Sequence, residues 1–247
     1  MTPLAGLLKA LMLLEAYQMA LIYKFMTLAA PAKHSGMKNG LAVRGFVILS
    51  NLSEGDALGI VNGLGDVLLQ TDVYPQANVR GDVSTVLPMD FHTDHPGARW
   101  IAWHCIRQSS EGGESLLIDS LPLISRLTKD ERDSLRNTWV RTHVVFPTDT
   151  PTHPVLTPDK YIADRIYFTP WLISEESKQP LLRLGELIAK EEPVNIRLKP
   201  GDLLVIDNSR MLHGRTAIGG DRERLLRRYW ISQVATPGAS ISFSSQQ

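Results

Sequence analysis

The chain has 247 residues, 43% of them hydrophobic and 21% charged, with 26 basic and 26 acidic side chains. That length can bury a full core, and a formal charge of zero leaves neither a basic field for nucleic acid nor the acidic excess of a disordered chain. The expected partner is a small molecule, with no nucleic acid. Cys105 is the sole cysteine, so there is no internal disulfide, and a reducing, cytoplasmic setting is expected. Within the apolar run WIAWHCI its thiol reads as buried and inert.

The first stretch, LAGLLKALMLLEAYQMALIYKF, is apolar but interrupted by Lys9, Glu15 and Lys24. The pieces are shorter than the ~20 apolar residues a spanning helix needs. A secretory leader would place basic residues before the apolar stretch, and the first is Lys9. Leu4, Leu7, Leu8, Leu11, Leu14 and Gln18 fall at helical spacing, which predicts an amphipathic helix packed on the body or on a second copy. A homodimer is therefore an expectation, and a membrane partner is not. Ala29–Gly40 reads as a loop, so residues 1–40 form an N-terminal helix and loop and residues 41–247 one domain.

Strand-like runs follow: LAVRGFVIL, STVLPMDFH, RWIAWHCIRQ, ESLLID, TWVRTHVVF, KYIADRIYF, VNIRL, DLLVID and LLRRYWISQV, split by Gly, Pro and Asp turns. Helical patterns interrupt them at EGDALGIVNGLG, at LTKDERDSLRN with a Thr128/Glu131 capping box, and at SEESKQPLLRLGELIAKEE. In the last, Ser174 suits the N-cap, and Pro180 predicts an early turn or a late start. Many short strands without βαβ alternation predict a mainly β fold with flanking helices, a sandwich or jelly roll. Trp100, Trp103 and Trp230 read as core.

DFHTDHPG, residues 90–97, puts two of the seven histidines beside acids at the end of a strand. Residues two apart on a strand share a face, so His92 and Asp94 present an imidazole and a carboxylate side by side. His213, in GDLLVIDNSRMLHGR and 121 residues beyond His92, supplies a third ligand. Two histidines and one carboxylate on one side of a metal leave the other positions open, as in non-haem Fe(II) oxygenases. His95 points to the other face and reads as a group behind the ligands or one touching substrate. His34 and His153 read as solvated loop residues, and His104 and His143 as hydrogen-bonded strand residues.

FHTDHPG, SSEGGESLLID, KPGDLLVIDNSRMLHGR and DRERLLRRYWI occur in an order that resembles the taurine dioxygenase-like and clavaminate synthase-like family of Fe(II)/2-oxoglutarate-dependent oxygenases. The likeness runs from about Leu41 to Val234. It implies a double-stranded β-helix, Fe(II) held by His92, Asp94 and His213, and 2-oxoglutarate and O2 as cosubstrates. Arg224, eleven residues after His213, matches the arginine that pairs with the far carboxylate of 2-oxoglutarate, and Ser115 matches a hydroxyl residue on the same group. Arg228, fifteen after His213, matches a position that contacts an anionic substrate group in some members. Asp94 stands where halogenating members carry a small residue, so hydroxylation is expected, with succinate and CO2 released. The substrate implied is small and polar, such as an amino acid or related carboxylate. A jelly-roll metal-binding module and a zinc hydrolase use the same three ligands and remain alternatives. Arg222 and Arg227 read as solvated.

Overall fold

The computed structural model describes residues 33–76, 85–159 and 162–232. The predicted helix near the N-terminus lies outside the described residues. The chain divides into two compact units, Met1–Met37 and Lys38–Gln247. In order, the elements are α1 (Lys33–Arg44), β1 (Phe46–Leu49), α2 (Glu54–Asn62), β2 (Val67–Val73), β3 (Met89–His92), β4 (Trp100–Arg107), β5 (Glu111–Gly112), β6 (Ser115–Asp119), α3 (Ser120–Ser125), α4 (Lys129–Asn137), β7 (Trp139–Arg141), β8 (Thr152–Pro154), β9 (Leu156–Asp159), β10 (Ala163–Ile166), α5 (Glu175–Lys190), β11 (Val194–Ile196), β12 (Leu203–Asp207), β13 (Met211–Arg215), β14 (Ile218–Gly219) and β15 (Leu225–Ile231). A 3-10 turn covers Pro170–Leu172.

Two antiparallel sheets carry the fold: β1-β12-β4-β15-β2, and β11-β6-β13-β3. Period-two alternation assigns their faces. Ile101, Trp103 and Cys105 of β4, Leu204 and Ile206 of β12, and Leu226 and Trp230 of β15 meet Leu117 of β6, Ile196 of β11 and Met211 of β13 in one shared core. The outer face of the smaller sheet is apolar too. Ile118 and Leu212 join Leu123, Leu135, Leu181, Leu184 and Leu187 from the three helices α3, α4 and α5 in a second core. Each fully buried Leu or Ile contributes roughly 2 kcal/mol. The result is the mainly β jelly roll with flanking helices that the strand pattern predicts.

Several local readings need correction. Residues 33–44 are helical, so the part of the predicted loop over Ala29–Gly40 that lies within the described residues gives way, as does the start of the strand over Leu41–Leu49, of which only Phe46–Leu49 is strand. The stop signal is Gly45. Its φ of 76° is the left-handed conformation that glycine tolerates, its N–H caps the Leu41 carbonyl, and a Cβ there would meet Met211 Sδ at 2.4 Å. Pro180 lies inside α5 and does not interrupt it, because the buried face of Leu181, Leu184, Leu187 and Ile188 holds the helix on the core. The Thr128/Glu131 capping box forms in both directions.

Candidate metal centre and its cavity

The two strands that carry the histidines are neighbours. His213 on β13 pairs directly with His92 on β3, and their rings lie 4.2 Å apart between centroids. β3 ends at His92, so Asp94 is positioned by a turn and not by the strand itself. Asn208 anchors that turn: its Oδ1 accepts from the Asp94 N–H at 2.8 Å, and its Nδ2 donates to the Ala98 carbonyl at 2.9 Å and the His95 carbonyl at 3.2 Å. Asp94 Oδ1 thus comes within 3.7 Å of His92 Nε2 and 3.8 Å of His213 Nε2, and one ligand atom from each of the three residues lies within 4.8 Å of the others.

Hydrogen bonds behind His92 and Asp94 fix which of their atoms face the centre. His92 Nδ1 lies 2.8 Å from the Asp90 carbonyl. A carbonyl only accepts, so Nδ1 carries the proton and Nε2 keeps its lone pair for a metal. Asp94 Oδ2 accepts from Trp230 Nε1 at 2.7 Å and from Arg228 Nη1 at 3.2 Å, leaving Oδ1 to the centre. Burial pushes Asp94 up, but Arg228, the two histidines and the Trp230 N–H outweigh it and hold the carboxyl at about 2. Burial lowers His213 to about 3, helped by His92 and opposed by Asp94, and burial also lowers His92. At neutral pH the site offers two neutral imidazoles and one carboxylate. This donor set fits Fe(II), which accepts imidazole and carboxylate ligands and retains open positions.

His92, His213, Trp103, Ser115, Arg224 and Arg228 line one cavity. Arg224 is 4% exposed and donates from Nε to the Gly113 carbonyl at 3.0 Å. Among the described residues no carboxylate pairs with it, and burial, with repulsion from Arg215, lowers it to about 10. The Gly-Gly pair earlier in the sequence makes room for it: Gly113 has φ of 74°, and a Cβ there would lie 2.8 Å from Arg224 Cδ. Arg228 lines the cavity while holding Asp94.

His95 does not line this cavity. Its Nδ1 accepts from the Gly97 N–H at 3.0 Å, its Nε2 lies 2.9 Å from Asp149 Oδ2, and its ring stacks on Trp230. It therefore braces the residue that orients Asp94. His143 sits in a loop and accepts from Trp171 Nε1 at 3.2 Å, and the Trp171 ring lies 4.8 Å from that of His92. His153 belongs to β8 and packs edge-on against Tyr167, contrary to the solvated reading. Arg227 is also not free: it pairs with Asp72 and Glu54. The sequence reading missed Asn208, which resembles an ordinary turn residue, and the Trp230 N–H, because tryptophan in a strand reads as core.

A jelly roll that gathers two histidines and a carboxylate beside one cavity defines a scaffold able to hold a metal ion. The family model for the taurine catabolism dioxygenase TauD, TfdA family matches residues 23–230, and the chain belongs to that family. It is 28% identical over 153 residues to gamma-butyrobetaine dioxygenase of Homo sapiens, covering 51% of this chain and 39% of that protein. The same enzyme of Pongo abelii matches equally. The chain thus spans 39% of the length of these relatives. Among solved structures it is similar to an asparagine oxygenase in complex with Fe(II), 2S,3S-3-hydroxyasparagine and succinate (TM-score 0.65, 19% identity, 82% of this chain and 80% of that one). It is also similar to the non-heme iron oxygenase OrfP in complex with Fe and alpha-ketoglutaric acid (TM-score 0.65, 16% identity, 84% and 81%). These structural likenesses establish the fold.

Proposed function

We propose that the protein is an Fe(II)/2-oxoglutarate-dependent oxygenase that hydroxylates a small polar substrate, such as an amino acid or related carboxylate. The observation that carries this reading is the cluster of His92, Asp94 and His213 beside a cavity lined by the two histidines and by the buried Arg224, which has no ion pair among the described residues. Fe(II), when bound, supplies the redox centre at which 2-oxoglutarate and O2 yield succinate, CO2 and an oxidised substrate. His92 Nε2, His213 Nε2 and Asp94 Oδ1 hold the ion. Arg224 and Ser115 receive the far carboxylate of 2-oxoglutarate, which a guanidinium fork grips at two points. Trp103 and Leu117 give that cavity apolar walls that exclude water.

The small-molecule reading draws support from relatives crystallised with hydroxyasparagine and hydroxyarginine and from the zero net charge. Arg228 is the group we offer to an anionic part of the substrate, with His95 supporting the site through the Trp230 ring. Among the described residues no helix is long and apolar enough to cross a membrane. A cytoplasmic setting fits the single buried thiol of Cys105, which burial raises to about 11, and a homodimer remains part of the proposal.

The test is turnover. Protein is incubated in air with Fe(II), ascorbate, 2-oxoglutarate and a panel of amino acids and short carboxylates. Succinate and a product heavier by one oxygen atom are expected with at least one member. Folded, iron-loaded protein that yields no succinate with any of them overturns the reading.

A further inference from the structure

Arg215 has no assigned part in the site, yet its position is as constrained as that of any ligand. It lies on β13 two residues after His213, so both side chains leave the same face of the strand, toward the cavity they both line. Register pairs it with Ser115 on β6 and with Met89 on β3. The cavity is therefore built in rungs. Leu117, His213 and His92 form the metal rung. Ser115, Arg215 and Met89 form the next, roughly 7 Å further along the strand. That offset matches the reach of a five-carbon dicarboxylate chelating a metal with one end. Arg224 lines the same cavity and is close enough to repel Arg215.

Among the described residues the charge of Arg215 has no counter-charge. The residue is 6% exposed, and among the described residues no carboxylate lies in ion-pair range. Its Nη2 donates to the carbonyls of Thr85 and Leu87, both at 2.8 Å, while its buried Nε has no partner. Carbonyls satisfy hydrogens but carry no net charge. A tether for residues 85–87 alone could use a neutral amide donor. Two buried guanidinium groups lining one cavity, neither ion-paired among the described residues, are unfavourable until an anion joins them.

We infer that Arg215 is a second cation of the cosubstrate subsite, receiving the far carboxylate of 2-oxoglutarate together with Arg224 and Ser115, and that it makes the subsite selective for dicarboxylate over monocarboxylate keto acids. The inference rests on the oxygenase reading above.

The test is calorimetric binding, without turnover. Full-length protein loaded with Mn(II) in place of iron is titrated with 2-oxoglutarate and with 2-oxopentanoate, which lacks the far carboxylate. Wild type is expected to prefer the dicarboxylate strongly. Arg215→Gln should reduce that preference at least about tenfold and leave the Kd for 2-oxopentanoate unchanged. Arg215→Lys keeps a point charge without the fork and should fall between the two; it carries the test if the glutamine variant does not fold. An unchanged ratio, or equal weakening of both acids, overturns the assignment and makes Arg215 a structural tether. Wild-type protein that holds Mn(II) but binds neither acid sinks the oxygenase reading itself, a distinct result.

Discussion

Asn208→Ala should damage the metal centre without touching a ligand. Asn208 is 2% exposed. Its side chain makes two short hydrogen bonds, to the Asp94 N–H at 2.8 Å and the Ala98 carbonyl at 2.9 Å, and two longer ones to the carbonyls of His95 at 3.2 Å and Asp94 at 3.4 Å. The bond from the Ala98 N–H to the His95 carbonyl, 3.0 Å, survives the substitution, so the turn keeps its shape and loses its anchor. A buried group left unpaired costs about 1–3 kcal/mol. With two strong bonds lost, the expected destabilisation is about 3–5 kcal/mol. Asp94 is then held only through its side chain, and metal affinity should fall about 10- to 100-fold. Urea unfolding of the metal-free protein reads the first effect, and competitive Fe(II) titration under anaerobic conditions the second. A variant within about 0.5 kcal/mol of wild type, with the same Fe(II) affinity, would refute the anchoring role.

Trp230→Phe removes the N–H on Asp94 Oδ2 and keeps an aromatic ring beside His95, so Fe(II) affinity should drop about tenfold; an unmoved titration would mean that Arg228 alone orients Asp94. Arg224→Ala should raise the 2-oxoglutarate KM at least about 30-fold with metal affinity unchanged, and an unaltered KM would remove Arg224 from the subsite. Acid should destabilise the metal-free protein early. His213 is held at about 3 when folded, against about 6.5 unfolded, so the unfolded chain takes up the proton first. Its contribution is complete above pH 6.5 and is lost as pH falls toward 3, with a slope of up to about 1.4 kcal/mol per pH unit. His92, lowered in the same direction, adds to it. Urea midpoints that stay level between about pH 7 and pH 5 would contradict this.

The grouping of His92, Asp94 and His213 was legible because each residue sits where chemistry and local pattern coincide. His92 and Asp94 are two apart at a strand end, and His213 follows the apolar strand LLVID, buried throughout. What brings them together is the β13–β3 register, which no local pattern states. The alternation of β4, β12 and β15 was equally visible, since each buries a face against the shared core. β2 escaped notice because only Val73 at its end is buried, so its sequence VLLQTDV lacks an alternating stripe. α1 was hidden by Gly36 and Gly40, poor helix formers, and by Leu41–Arg44, which reads as the start of a strand. Asn208 acts on Asp94, 114 residues away, and Arg215 reaches the cavity through its register with Ser115 on a distant strand. Their residue types fit a turn and a solvated strand end as readily.

The most direct test of the central claim is an anaerobic titration of metal-free protein, first with Fe(II) and then with 2-oxoglutarate, followed by visible absorption. The account predicts a charge-transfer band that needs both additions and is lost in Asp94→Ala. No band from wild-type protein that demonstrably holds iron would contradict it, and would bring forward a metal-binding module or a hydrolase built on the same three ligands.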